Sequence, residues 1–368
     1  MPFISERTVA YMKFKKTLCG LLAVTTLIIP VLGGCKHVEK KELFQIESSQ
    51  ISDVSQASHT DPDTSEKSEN AITPLMWKAE DKNGNYAYLF GSIHAGDNAV
   101  DHMPDYFEKA YADSDTLAFE IDMSNLYNDI TASSSMLTDI IYSDGTTIKD
   151  HISENTYNKL VQILQEKGMY NSLYDYYKPM MWESLIENIA ITEAGLNATK
   201  GVDMTLTNRA KADKKNIEEV ESMDFQMSMF NGLSDSIIEM MMSSYAEEGA
   251  IGKLAQQLKD LYAKWKAGTI TELDVNDDQP DEEDLTEEEK AMLEEYNKAI
   301  LTDRNKGMTE KLVEYIKSGK TVMLVVGTAH FLGDDGIVSL LEKQGYTVTK
   351  ITSAEQLNTT APAPQKAA

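Results

Sequence analysis

Apolar residues fall along this 368-residue chain in blocks, and one clear block is Tyr86-Ala87-Tyr88-Leu89-Phe90. It stops on Gly91 and delivers His94 three residues later, the pattern of a buried strand feeding a loop. A second copy of the plan stands near the other end, where Thr321-Val322-Met323-Leu324-Val325-Val326 runs into Gly327-Thr328-Ala329-His330. Glycine at a strand's end suits a sharp turn or a close backbone approach, and loops at the carboxyl ends of strands are where open α/β sheets bind ligands. One Gly-x-x-His alone has a plainer explanation, a loop histidine bonded to a backbone carbonyl. Two in matching context point to a shared site that brings both imidazoles to one cleft.

The remaining pattern fills in around these two strands. Asn83-Gly84 between Pro74–Ala79 and the first strand predicts an antiparallel hairpin. A helix is expected from about Pro104 through Tyr111, then a strand over Thr116–Asp122. Within that strand Glu120 is a carboxylate among apolar neighbours, on one face with Ala118 and Asp122; it reads as a site group or as a strand-end residue facing solvent. Residues from about 125 to 305 read as mostly helical. Ser153 is placed to cap a helix ending near Lys167, a second runs from Pro179 to Ala194, and a third precedes Lys214. Met223, Met227, Met229, Met240, Met241 and Met242 suit core packing, and would also suit a groove accepting varied peptides.

The acidic run 274–284 opens like an EF-hand with Asp274, Asn276 and Asp278. Gln279 then stands where the turn glycine belongs and Leu285 where the bidentate glutamate belongs, so calcium is rejected. Thr286 with Glu289 is a capping box that opens a helix reaching Asn305, and a separate helix is expected from Met308 to Ser318. A helix over Ile337–Lys343 and a strand over Tyr346–Ile351 close the domain. The fold class is α/β, a mixed sheet flanked by helices, with two Gly-x-x-His half-repeats and a helical region between them.

The ends of the chain differ in kind. Residues 1–35 read as a targeting segment: Lys13, Lys15 and Lys16 precede an apolar run from Leu21 to Leu32, and Leu32-Gly33-Gly34-Cys35 resembles a bacterial lipobox. That resemblance implies cleavage before Cys35, acylation of its thiol and a lipid anchor at the outer face of the cytoplasmic membrane. A spanning anchor is disfavoured, because the run falls short of the ~20 residues a bilayer needs. Residues 36–70 are a polar tether expected to be disordered, 71–355 the folded domain, and 356–368 a disordered tail. The chain's two cysteines are Cys19 and Cys35, so the sequence beyond Cys35 offers no disulfide, thiolate ligand or cysteine nucleophile. Net charge is −26, and the first 35 residues contribute +3, which leaves −26 − 3 = −29 for the rest. Such a surface repels nucleic acid and anionic lipid heads.

Leu89-Phe90-Gly91-Ser92-Ile93-His94, Phe119-Glu120-Ile121-Asp122, Gly201-Val202-Asp203, Val220-Glu221, Arg304-Asn305 and Val326-Gly327-Thr328-Ala329-His330 resemble, in their order, the TraB/GumN family. That family is similar to the Tiki metalloproteases and more distantly to erythromycin esterases. The resemblance implies duplicated α/β halves and offers His94, Glu120, Arg304 and His330 as site residues, with Asp203 and Glu221 matching motifs of unassigned role. Two imidazoles and one carboxylate form a three-ligand set with an open position for water, compatible with zinc, manganese or cobalt. Glu120 and Arg304 are the catalytic candidates. Arg304 has two readings, an oxyanion or substrate-carboxylate partner, and a plain ion pair.

Three functions follow: a metal-dependent peptidase or amide hydrolase, a metal-independent esterase-like hydrolase using one histidine as general base, and a lipoprotein that sequesters peptides or pheromones without catalysis. The partner is a peptide or small molecule in each case. Neither Gly-x-Ser-x-Gly nor His-Glu-x-x-His occurs. His102 and His151 are expected on the surface.

Overall fold

The computed structural model describes residues 72–122, 139–272, 274 and 285–358. The targeting segment with Cys35, the tether, the tail from 359 and all of the acidic run except Asp274 lie outside the described residues.

Strands β1 (Met76–Glu80), β2 (Tyr86–Ser92), β3 (Thr116–Phe119), β4 (Asn216–Glu219), β5 (Val322–Gly327) and β6 (Thr347–Lys350) form one mixed sheet in the order β4-β3-β5-β2-β1-β6. The four strands from β4 to β2 are mutually parallel, while β1 runs antiparallel to both β2 and β6. Every residue of Val322–Gly327 is buried, as expected of a central strand covered on both faces, whose sequence reads as an unbroken apolar run. The hairpin joining β1 to β2 turns at Gly84, whose φ of +87 is left-handed and favours glycine.

Helix α1 (Asp105–Asp113) links β2 to β3. Helices α2 (Glu154–Glu166), α3 (Pro179–Glu193) and α4 (Val202–Ala212) follow β3 in the chain. Ser153 caps α2 by accepting from the Thr156 N–H. Then come α5 (Met223–Asn231), α6 (Asp235–Tyr245) and α7 (Ala250–Ala267), which packs against α3. Met227, Met240, Met241 and Met242 are buried in this layer, so they pack the core. Helices α8 (Glu287–Asn297), α9 (Asp303–Ser318) and α10 (Ile337–Lys343) complete the described set. None of the described helices is long and apolar enough to cross a membrane.

Three expectations change. The helical middle contains strand β4, which is polar because it lies at the sheet's edge and pairs with β3 alone. Helices α8 and α9 are not broken before Met308; they join through a π-helical turn, Lys298–Thr302, and Gly307 lies inside α9. Gln356–Asn358, expected within the tail, forms a 3-10 turn, and the Gln356 side chain accepts from the Thr352 and Ser353 N–H groups.

Candidate functional site

Strand pairing decides where the two Gly-x-x-His loops emerge. Parallel register sets Ser92 opposite Gly327 and Phe119 opposite Val325, so β2, β5 and β3 all end at one edge of the sheet. His94, His330 and Glu120 lie just beyond those ends. Gly91 is needed for close approach: a Cβ there would stand 2.6 Å from Thr328 Oγ1, and Thr328 is held by donating to the Ser92 carbonyl at 2.9 Å. Gly201 does the same for α4. A Cβ on it would meet the His94 carbonyl oxygen at 2.4 Å, so its absence lets the start of α4 reach the histidine loop.

Each imidazole is gripped from behind. His94 Nδ1 lies 2.9 Å from Asp203 Oδ2, and the other oxygen of Asp203 accepts from the Ser92 hydroxyl at 2.6 Å. His330 Nδ1 lies 2.7 Å from Asn305 Oδ1, while Asn305 Nδ2 donates to the Asp335 carbonyl at 2.9 Å. The opposite nitrogens, His94 Nε2 and His330 Nε2, are both buried with no hydrogen-bond partner among the described residues. Buried polar atoms are nearly always paired, so two ring nitrogens left open at one edge of the sheet mark a candidate site.

Glu120 is buried, not facing solvent, at 7% exposure. Its Oε1 accepts from the Gly327 N–H at 2.8 Å and lies 3.7 Å from His330 Nε2; its Oε2 accepts from Arg304 Nη2 at 2.6 Å. Arg304, 1% exposed, also donates to Glu221 at 2.8 and 2.9 Å and to the Ile300 carbonyl at 3.3 Å. The structure therefore places Arg304 in an ion pair shared by two carboxylates. Burial works against the charge on Glu120, but Arg304, His330 and His94 together outweigh it and hold the carboxyl at about 2. Burial, reinforced by Arg304, pushes His330 down to about 3. His94 moves the other way: burial would lower it, and the Asp203 carboxylate more than reverses that.

Among the described residues no group of three His, Cys, Asp or Glu side chains stands ready to hold a metal ion. Glu120 bonds to Arg304 and lies 3.7 Å from His330, and His94 is near enough for Glu120 and Arg304 to act on its charge; His102 is exposed and apart. His151 is only partly on the surface, stacked on Tyr142 with ring centroids 4.5 Å apart and paired with Asp235 at 2.9 Å. Sequence reasoning had no role for Ser92, Asp203, Asn305 or Glu221, although each stands inside a quoted motif.

The fold is an α/β sheet that gathers His94, His330, Glu120 and Arg304 at the carboxyl edge of its parallel strands. Residues 75–350 match the TraB/PrgY/gumN family, and the chain belongs to that family. Metalloprotease TIKI2 of Xenopus tropicalis is 23% identical over 327 residues, covering 77% of this chain and 60% of that protein. Metalloprotease TIKI1 of Homo sapiens is 22% identical over 325 residues, covering 76% and 62%. Uncharacterized protein YbaP of Escherichia coli (strain K12) is 25% identical over 171 residues, covering 46% and 61%. The chain thus spans about three fifths of the length of the curated relatives it matches. No solved structure matches it significantly.

Proposed function

We propose that this chain is a metal-dependent hydrolase of peptides, with a divalent ion held by His94, Glu120 and His330. The observation that carries the reading is the pair of buried, unpartnered Nε2 atoms on rings whose Nδ1 atoms are already engaged. Metal-ligating histidines are typically held this way, by a carboxylate or carbonyl at the far nitrogen. Glu120 fits as the third donor, because Oε1 accepts one hydrogen bond and a carboxylate oxygen has a second lone pair. Two nitrogens and one oxygen suit zinc, manganese or cobalt. A bound ion would supply Lewis acidity toward water and a substrate carbonyl.

The chain's own groups do the rest. Arg304 and the Gly327 N–H keep Glu120 ionised and aimed at the two rings. Arg304 acts through Glu120 and Glu221, since its guanidinium is already committed to both. The naming of two relatives as metalloproteases supports a peptide as the substrate class. The lipobox-like run supports attachment at the outer face of the cytoplasmic membrane through Cys35.

A second reading has one observation in its favour. His94 backed by Asp203 is a carboxylate–imidazole pair of the kind a general base uses, and it needs no metal. Calorimetric titration with zinc, manganese and cobalt separates the two. His94→Ala, Glu120→Ala and His330→Ala should each lose most of the binding, and double variants should lose little more, because ligands acting as a unit are non-additive. A folded His94→Ala or His330→Ala protein that binds metal like wild type would exclude the shared centre. A peptide-library cleavage screen on the same samples then tests hydrolysis against binding alone.

A further inference from the structure

The two histidines are held by different chemistry, and the hydrogen-bond network decides which ring nitrogen carries the proton. Asp203 has only acceptor atoms: one oxygen takes the Ser92 hydroxyl proton, and the other, 2.9 Å from His94 Nδ1, can only accept. A neutral His94 must therefore be protonated on Nδ1. Asn305 could face His330 with either its oxygen or its nitrogen. Its Nδ2 is taken by the Asp335 carbonyl at 2.9 Å, so Oδ1 is the atom at 2.7 Å from His330 Nδ1. His330 must be protonated on Nδ1 as well. Both Nε2 atoms, buried and without a hydrogen-bond partner among the described residues, then present bare lone pairs.

We infer that Asp203 and Asn305 are the positioning residues of this centre, each fixing one imidazole in the Nδ1–H tautomer so that both Nε2 lone pairs are free to bind. The tautomers follow from the network alone; that the lone pairs bind metal rests on the function proposed above. Ser92 belongs to the device, because its hydroxyl anchors the second oxygen of Asp203. Since a hydroxyl can donate or accept, Ser92 also makes a prediction about substitution. In Asp203→Asn the amide can face His94 with its oxygen or with its nitrogen, because the Ser92 hydroxyl can donate or accept, so the tautomer is no longer fixed. In Asp203→Ala and Asn305→Ala nothing holds it.

The first test uses the unmodified, metal-free chain. Long-range proton–nitrogen spectra at mildly alkaline pH read the tautomer of each ring, with His94 and His330 assigned by the signals lost in His94→Gln and His330→Gln. Both rings should show Nδ1–H; an Nε2–H in either overturns the inference. The second test is titration with zinc alone. Asp203→Ala and Asn305→Ala should bind about ten- to a hundred-fold more weakly, the usual cost of removing such a partner. Folded alanine variants that keep both the wild-type tautomer and wild-type affinity also overturn it. Wild-type protein that shows Nδ1–H on both rings yet binds no zinc sinks the metal reading and leaves the positioning roles standing.

Discussion

Arg304→Met is the most informative single perturbation of the buried charge set. Arg304 is 1% exposed and compensates two carboxylates, Glu120 at 2.6 Å and Glu221 at 2.8 Å. Methionine fills similar volume and brings no charge, so the change strands two carboxylates with side-chain exposures of 9% and 5%. Breaking a buried pair by removing one partner costs about 3–5 kcal/mol. Two stranded groups place the expected loss at the upper part of that range, and protonation of one of them keeps it from being larger. Against a typical stability of about 5–15 kcal/mol this is roughly a quarter or more of the total. The assay is urea unfolding of the metal-free protein, followed by Glu120→Gln in both backgrounds. With Arg304 present, Glu120→Gln removes an ion pair and destabilises; with Arg304→Met it removes an uncompensated charge and stabilises. A loss below about 1 kcal/mol for Arg304→Met, or the same sign for Glu120→Gln in both backgrounds, would refute the reasoning.

Gly91→Val should destabilise by about 1–3 kcal/mol and weaken metal binding, because its Cβ would enter the space of the 1%-exposed Thr328; an unchanged thermal midpoint would reject this. Asp97 is lowered below its ordinary value: burial opposes the charge, and the Tyr262 hydroxyl, the Ala99 N–H and Lys266 outweigh it. A folded-state pKa below the unfolded value of about 4 gives stability that is present above that pH and lost as pH falls through the lowered value. The stability gap between wild type and Asp97→Asn, read by urea midpoints, should therefore close in acid, and a constant gap would contradict the assignment. Cys35→Ser should leave the protein without a lipid by mass spectrometry; a retained diacylglyceryl group would end the lipoprotein reading.

Much of the fold was legible because its central strands are buried on both faces. The runs into Gly91 and Gly327 carry their burial in composition, and Ser153 and Thr286 announce their helices through side-chain chemistry local to the cap. Strand β4 was not legible, since Asn216-Ile217-Glu218-Glu219 pairs on one side only and keeps a polar, half-exposed face. A break was expected between Asn305 and Met308, yet Gly307 lies inside α9 with room for a Cβ; the irregularity lies in the π-helical turn, which local pattern does not mark. In the site, Glu120 stood out as a carboxylate in an apolar run. Asp203 and Asn305 did not, because their partners lie 109 and 25 residues away and a short polar residue in a helix's first turn looks like ordinary surface. Periodicity reports neighbours along the chain, whereas these pairs exist only once the sheet has closed.

The position of β5 bears on how such a chain comes into being. It occupies the middle of the sheet, between β3 and β2, although it begins at Val322, 322 − 119 = 203 residues after β3 ends. A growing chain that has released His94 and Glu120 therefore has no strand between them, and pairings of such long sequence separation close late. Until Val322–Gly327 pairs with both neighbours the groups at this edge are not held together, and the same stretch that completes the sheet delivers His330. Completion of the sheet and gathering of these side chains are one event, so a chain cut before β5 keeps His94 and Glu120 without the strand that brings His330 to them.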